Sequence, residues 1–288
     1  MALPRILVTG AGGQMGSEFQ VLAASYPQFR FLFTTRNELP VSEKKSVEEY
    51  FQSHQPAYCI NCAAYTAVDK AESEKELAFE VNANAVGYLA KSAAQTGTRF
   101  IHISTDYVFD GTSATPYRED HRTNPLGIYG LSKLKGEALC LLNNAEAMII
   151  RTAWVYSTFG SNFVKTMMRL MNERREINVV NDQTGSPTYA ADLADAIMQI
   201  IIKDKWQPGI YHYANAGTTT WFGFATAIKQ FLHSDCKINP VSSSEYPTKA
   251  KRPSFSLLDT NKIRQTFGIN IPQWKESLER CMAKMTRP

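Results

Sequence analysis

Three things are scarce in this chain: long apolar runs, clustered positive charge and a paired set of cysteines. Met1-Ala-Leu-Pro leads into Arg5-Ile-Leu-Val-Thr-Gly, an apolar stretch far too short for a secretory signal or a membrane span. The expectation is therefore a cytoplasmic protein with no membrane partner. The net charge of +4 is spread over 288 residues, without any run of five basic side chains. That is far from the basic stripe of a nucleic-acid binder, so nucleic acid is not an expected partner. The five cysteines are odd in number and scattered, which suits a reducing compartment better than a disulfide framework. Cys59 and Cys62 have redox-motif spacing but fall in a strand-like run, where residues three apart face opposite ways; both are expected to be small core residues. The five histidines show no metal-ligand spacing, so no metal site is expected, and His102 is read as a core residue.

What is present is an ordinary globular composition, 44% hydrophobic and 20% charged, in a chain long enough for two lobes. Short apolar or β-branched runs at 5–9, 30–34, 57–62, 99–104 and 147–152 alternate with helical patterns at 15–26, 43–53, 72–95 and 129–142. Strands apolar on both faces, alternating with helices, imply an α/β fold: a Rossmann-type, doubly wound parallel sheet. The rhythm loosens after residue 154. Helices are expected at 162–173, 190–203, 221–233 and 273–285, with one short strand at 210–213. This places a dinucleotide-binding domain at 1–154 and a smaller, mixed α/β substrate lobe at 155–288, the chain returning to the first domain near 178–204.

In parallel sheets of this kind ligands bind outside the carboxyl ends of the strands. The first strand ends in Thr9-Gly-Ala-Gly-Gly-Gln-Met-Gly16, and a helix follows. Gly10 permits a tight turn, Gly13 lets backbone approach a pyrophosphate, and Gly16 lets the helix pack on the strand. Gly12, Gln14 and Met15 complete the loop and the helix start, where free N–H groups attract phosphate. The second strand ends in Thr35-Arg36, without the carboxylate that usually holds the ribose of NAD. Arg36 is therefore expected to pair with the 2′-phosphate of NADPH; NADH stays open because Glu38 is close.

Tyr129 and Lys133 stand four residues apart at a helix start, hence on one face. A phenol has an ordinary pKa near ~10, and a neighbouring ammonium in a partly dry pocket favours phenolate; the pair is expected to bring Tyr129 toward neutrality as an acid for a ketone oxygen. The strand ending Ser104-Thr105 supplies a hydroxyl for the same oxygen, and these residues alone do not say which of the two it is.

Taken together, these blocks make the chain resemble the extended short-chain dehydrogenase/reductases and, within them, the dTDP-4-dehydrorhamnose reductases. The matching stretches are 9–16, 61–72, Ser104-Thr-Asp-Tyr-Val-Phe-Asp-Gly111, 124–133, 151–156, 181–187 and Arg252-Pro253. The resemblance implies Thr105, Tyr129 and Lys133 as the catalytic set, with Tyr129 and Lys133 also on the cofactor, Lys133 holding the nicotinamide ribose, and Thr105 also on the substrate. It implies that Ala63, Ala64 and Tyr65 line the cofactor. It assigns Thr66, Val68, Tyr107, Trp154, Asn162 and Arg252 to the nucleotide-sugar substrate, with Arg252 on the diphosphate. It leaves open a homodimer, and Mg²⁺ at a subunit contact, which no pattern in this chain indicates. Pro40 stands where many members carry Asp, a departure on the adenosine side. Other nucleotide 4-keto-6-deoxy sugars, or a non-catalytic NADP-binding regulatory subunit, remain alternative readings. From the residues alone Trp154 is either a stacking surface or core, and Asn82 either braces the active-site strand or is a solvated helix residue. Asp69 and Glu72 are read as helix-end charges.

Overall fold

The computed structural model describes residues 3–286. Its centre is a six-stranded parallel sheet. Five strands come from the first half: β1 (Arg5–Thr9), β2 (Arg30–Thr34), β3 (Tyr58–Asn61), β4 (Arg99–Thr105) and β5 (Met148–Thr152). They lie in the order β2-β1-β3-β4-β5, and the strand Gly209–His212 adds outside β5. The α/β doubly wound sheet is thus as expected, and the direction of winding reverses between β1 and β3, which opens a crevice there.

Alternation explains the two layers. Ile6 and Val8 face one side with Met15 and Phe19 of helix α1 (Gln14–Ala23) and with the helix Ala190–Ile202. Leu7 and Cys59 face the other, against α2 (Lys44–His54), a helix at Ala85–Thr96 and the helix Ile128–Asn143. Side chains one residue apart on a strand point to opposite faces, so each strand feeds both layers. A separate apolar cluster gathers Tyr156, Val164, Met171, Val179, Phe224 and Trp274.

Three expectations need adjustment. The helix anticipated at 72–95 is broken into Lys75–Phe79, a π-helical turn Glu80–Asn84, and Ala85–Thr96. The facing helix approaches so closely that a Cβ on Gly136 would lie 2.0 Å from the Asn82 carbonyl oxygen, and a widened turn accommodates that contact. Periodicity carries no trace of it. Within the span 178–204, where the chain is expected to return to the first domain, the two ends differ. Glu176–Val180 pairs in parallel with Lys237–Val241 away from the central sheet, whereas Ala190–Ile202 and Gly209–His212 pack on and join it. Finally, the helix Asn261–Phe267 was not anticipated; its Ile263 and Phe267 extend the first cluster. Among the described residues no helix is long and apolar enough to cross a membrane.

Register places the chemistry. Thr9 pairs with Asn61, and Asn61 with His102, but β4 then runs three residues further, to Thr105 opposite Thr152. The overshoot carries Ser104 and Thr105 past the end of β3, over the crevice.

Candidate active site

Two cavities of about 610 Å³ and 390 Å³ occupy the carboxyl ends of the strands. Gly13, Cys62 and Ala64 line both, so they form one trough running from Arg36 at one end to Trp154 at the other.

The glycine turn has three distinct jobs. Gly10 sits at φ +67°, and a Cβ there would lie 2.7 Å from the Ala63 nitrogen, so both conformation and space require glycine. A Cβ on Gly16 would lie 2.4 Å from the Gly10 carbonyl oxygen, which allows α1 to pack directly on the turn. Gly12 differs: a Cβ there would meet nothing within 4 Å. Protein packing does not require its bareness, and it opens onto the smaller cavity. The N-cap of α1, Gly13, makes no side-chain cap hydrogen bond. Bare backbone and an uncapped helix start fit a pyrophosphate, which would be held by Gly12, Gly13, Gln14 and Met15. Ala63 and Tyr65 line the smaller cavity and Ala64 both, on the β3 side. Arg36 lines its far end, while the Glu38 carboxylate accepts hydrogen bonds from the Thr35 nitrogen at 2.8 Å and hydroxyl at 2.9 Å. Arg36 therefore faces the adenosine end without Glu38 as a partner.

The larger cavity holds Thr105, Tyr129 and Lys133 together. The helix Ile128–Asn143 begins at Gly127, which has no side chain to cap it; Glu72 does so from across the chain, its Oε1 accepting from the Ile128 nitrogen at 2.9 Å. Glu72 thus caps a neighbouring helix instead of charging the end of its own. Asn82 is the brace: Oδ1 accepts from the Tyr65 nitrogen, and Nδ2 donates to the Tyr65 carbonyl and to Ser132 beside Lys133. The two hydroxyls left open by the residues alone have different partners. Ser104 donates to Glu137 at 2.5 Å within a buried Glu137–Arg151 ion pair, while Thr105 accepts from the Tyr107 nitrogen and donates to Asp106. Ser104 is committed to structure.

One electrostatic expectation is reversed. Burial pushes the Tyr129 phenol up to about 12; hydrogen bonding with Thr105 lowers it and the Asp106 charge raises it. Lys133 does not pull it toward neutrality, because its Nζ is turned to the Ile103 carbonyl at 2.6 Å and to His102. Burial brings Lys133 itself down to about 8, against the charges of Glu137, Cys62 and Cys140. Tyr129 is thus a protonated phenol throughout the neutral range, suited to giving up a proton when an alkoxide forms beside it. Asp106, next to Thr105, is raised to about 6 by burial, against hydrogen bonds from Ser256 and Thr105.

Of the sugar-side residues, Thr66, Val68, Tyr107 and Trp154 line the larger cavity. Tyr107 meets Tyr129 edge-on at 5.4 Å. Trp154 is half-buried, with a left-handed φ of 48°, and stacks on Trp221 with centroids 3.7 Å apart. It is neither plain core nor a free platform: one face is taken and the residue still reaches the cavity. Asn162 and Arg252 are not brought to the cavity wall. Asn162 caps the helix Phe163–Glu173 through the Lys165 nitrogen, and its amide donates to Gln14 and to the Ser157 carbonyl. Arg252 spends its planar fork on Asp69, at 2.7 and 3.2 Å, so Asp69 is an anchor for the 250–252 segment and not a helix-end charge alone. Cys59 is core, but Cys62 lines both cavities; the strand spacing separated their faces correctly and gave no sign that one face ends at a site.

A glycine turn at the reversal point of a doubly wound sheet, feeding a trough that ends on a Tyr/Lys pair, belongs to the NAD(P)H-dependent oxidoreductases of the short-chain dehydrogenase/reductase type. Within that class, residues 4–287 match the family described as RmlD substrate binding domain, and the chain belongs to it. It is 39% identical to a dTDP-4-dehydrorhamnose reductase of Aggregatibacter actinomycetemcomitans, over 98% of this chain and 99% of the relative. It is 41% identical to the spore coat polysaccharide biosynthesis protein SpsK of Bacillus subtilis, over 96% of each. The crystal structure of dTDP-4-dehydrorhamnose reductase from Bacillus anthracis in complex with NADP superimposes with a TM-score of 0.94 at 37% identity, covering 98% of this chain and 100% of that one.

Proposed function

We propose that this chain reduces the C4 ketone of dTDP-4-dehydro-L-rhamnose to give dTDP-L-rhamnose, a cytoplasmic step in the supply of polysaccharide precursors. The observation that carries this reading is the convergence of Thr105, Tyr129 and Lys133 on one cavity continuous with the glycine turn, in a chain whose full-length relatives bear that activity in their names. When bound, the reduced nicotinamide supplies the hydride. The residues of the chain do the rest. Tyr129 gives its proton to the carbonyl oxygen as negative charge develops there, a role that its raised pKa suits because the proton is present at every neutral pH. Thr105 fixes the direction of that oxygen. Lys133 holds the ribose near Tyr129, and Trp154, Val68 and Thr66 form the wall against which the deoxysugar lies. Arg36, at the adenosine end, favours a 2′-phosphate and hence NADPH. Diphosphate recognition by Arg252 would require it to exchange Asp69 for the ligand.

The test is cofactor oxidation by the purified protein with dTDP-4-dehydro-L-rhamnose, run beside a 4-keto-6-deoxy sugar on a different nucleotide. Turnover of the dTDP sugar with NADPH favoured over NADH supports the reading. Turnover of only the other nucleotide sugar would move it to a sister reductase, and cofactor binding without turnover of either would make the chain regulatory.

A further inference from the structure

His102 lies entirely inside the protein, on β4, between the end of β3 and Lys133. Its Nδ1 is 3.1 Å from the Asn61 side-chain nitrogen and its Nε2 is 3.4 Å from Lys133 Nζ. The orientation of the Asn61 amide is fixed from behind. Its oxygen accepts from the Thr9 hydroxyl at 2.7 Å and from the Ala63 backbone nitrogen at 3.2 Å, and a backbone N–H can only donate. The Asn61 group turned to His102 is therefore the NH₂ donor, and Nδ1 must be the bare, accepting nitrogen. Burial, with the Lys133 charge, holds the ring well below its ordinary pKa, so it is neutral and carries one proton. That proton sits on Nε2, pointing at Lys133.

An N–H directed at an ammonium is opposed to it, whereas an amine lone pair accepts it. On its other side Lys133 Nζ donates to the Ile103 carbonyl. An amine meets both neighbours, donating one N–H to the carbonyl and accepting the imidazole N–H on its lone pair, whereas an ammonium has no lone pair for the second. We propose that His102 is a positioning residue for the Tyr129/Lys133 centre: locked by Thr9 and Asn61 in the Nε2–H tautomer, it turns a donor toward Lys133 and lets that side chain exchange between ammonium and amine in the working pH range. The other groups around Lys133 act the opposite way. Glu137 and Cys140 on its own helix and Cys62 at the end of β3 favour ammonium, and burial opposes them. The tautomer is a property of the folded chain alone; its consequence for catalysis rests on the reductase reading above.

The substitution Asn61→Asp should reverse the polarity of the chain without changing its shape. One carboxylate oxygen keeps the Thr9 and Ala63 bonds, and the other accepts from Nδ1–H, so that Nε2 becomes a lone pair facing an ammonium. The experiment is nitrogen NMR of the full-length protein labelled at histidine, with the signal assigned by its loss in His102→Gln, beside carbon NMR of lysine labelled at Cε. In the wild type His102 is expected as a neutral ring protonated at Nε2, with Lys133 titrating at least one pH unit below an ordinary lysine. In Asn61→Asp the proton moves to Nδ1 and the Lys133 midpoint rises by a unit or more; the alkaline limb of kcat/KM moves with it. A wild-type ring protonated at Nδ1, or at both nitrogens, overturns the proposal, and that measurement requires no variant to fold. A tautomer that switches while the Lys133 midpoint stays fixed overturns it as well. A protein without reductase activity leaves both NMR results readable, so failure of the functional reading is distinguishable from failure of this one.

Discussion

The two ends of the trough are built from different material. At the cofactor end the part of the wall suited to phosphate is main chain: a glycine turn, an uncapped helix start and the extended segment after β3. At the sugar end it is side chains that hold one another, Trp154 on Trp221 and Tyr107 against Tyr129, with Arg252 on Asp69 and Asn162 on Gln14 behind the wall. Main chain recognises what every dinucleotide shares, namely phosphates. Side chains have to be chosen, and their neighbours chosen with them, so substrate identity is written there.

This difference can be broken on purpose. The largest effect is expected beneath the reaction centre, where Glu137 and Arg151 form an ion pair with each side chain 3% exposed. Arg151→Met leaves a buried carboxylate without its partner, and should cost about 3–5 kcal/mol of stability in denaturant unfolding. A loss below roughly 1 kcal/mol would mean that water reaches Glu137 and that the floor is looser than described. Next comes Arg36→Ala. Loss of a charged contact to phosphate is worth roughly 1.5–3 kcal/mol, so NADPH affinity should fall by about 10- to 100-fold with NADH affinity little changed. An equal loss for both cofactors would return Arg36 to being a solvated loop residue. The smallest effect distinguishes a cap from a ligand contact. Asn162→Ala removes the N-cap of the helix Phe163–Glu173 and should cost about 1 kcal/mol of stability. If Asn162 is a cap, the KM for the sugar nucleotide shifts little; a tenfold rise in KM at unchanged stability would restore it as a substrate residue.

How much of this was legible beforehand follows the same division. The glycine turn, the five first strands and the Tyr/Lys spacing were readable because each is a local pattern whose physics sits within a few residues. Strand register was not readable: the three-residue overshoot of β4 carries both Ser104 and Thr105 past β3, and the contact of Thr105 with Tyr129, beside a Ser104 held on Glu137, favours Thr105. The π-turn at Asn82 depends on the approach of Gly136 from a helix some fifty positions away, a contact to which hydrophobic periodicity is blind. Asn162 and Arg252 came from resemblance alone, and neither lines the cavity: Arg252 is held by Asp69, and Asn162 caps a helix while donating to the cavity residue Gln14. The downward tuning of Tyr129 by Lys133 failed for a related reason. Spacing put the two on one face, but Lys133 Nζ donates to the Ile103 carbonyl and lies against the His102 ring instead.

The central claim is that Tyr129 is the acid of a reductase whose cofactor end works independently of it. The direct measurement is Tyr129→Phe, which keeps the ring and removes the hydroxyl, assayed for NADPH binding and for turnover of dTDP-4-dehydro-L-rhamnose. NADPH affinity should match the wild type while kcat falls by roughly 10²- to 10⁴-fold. Full turnover in Tyr129→Phe would contradict the account and move the acid to another group in the larger cavity.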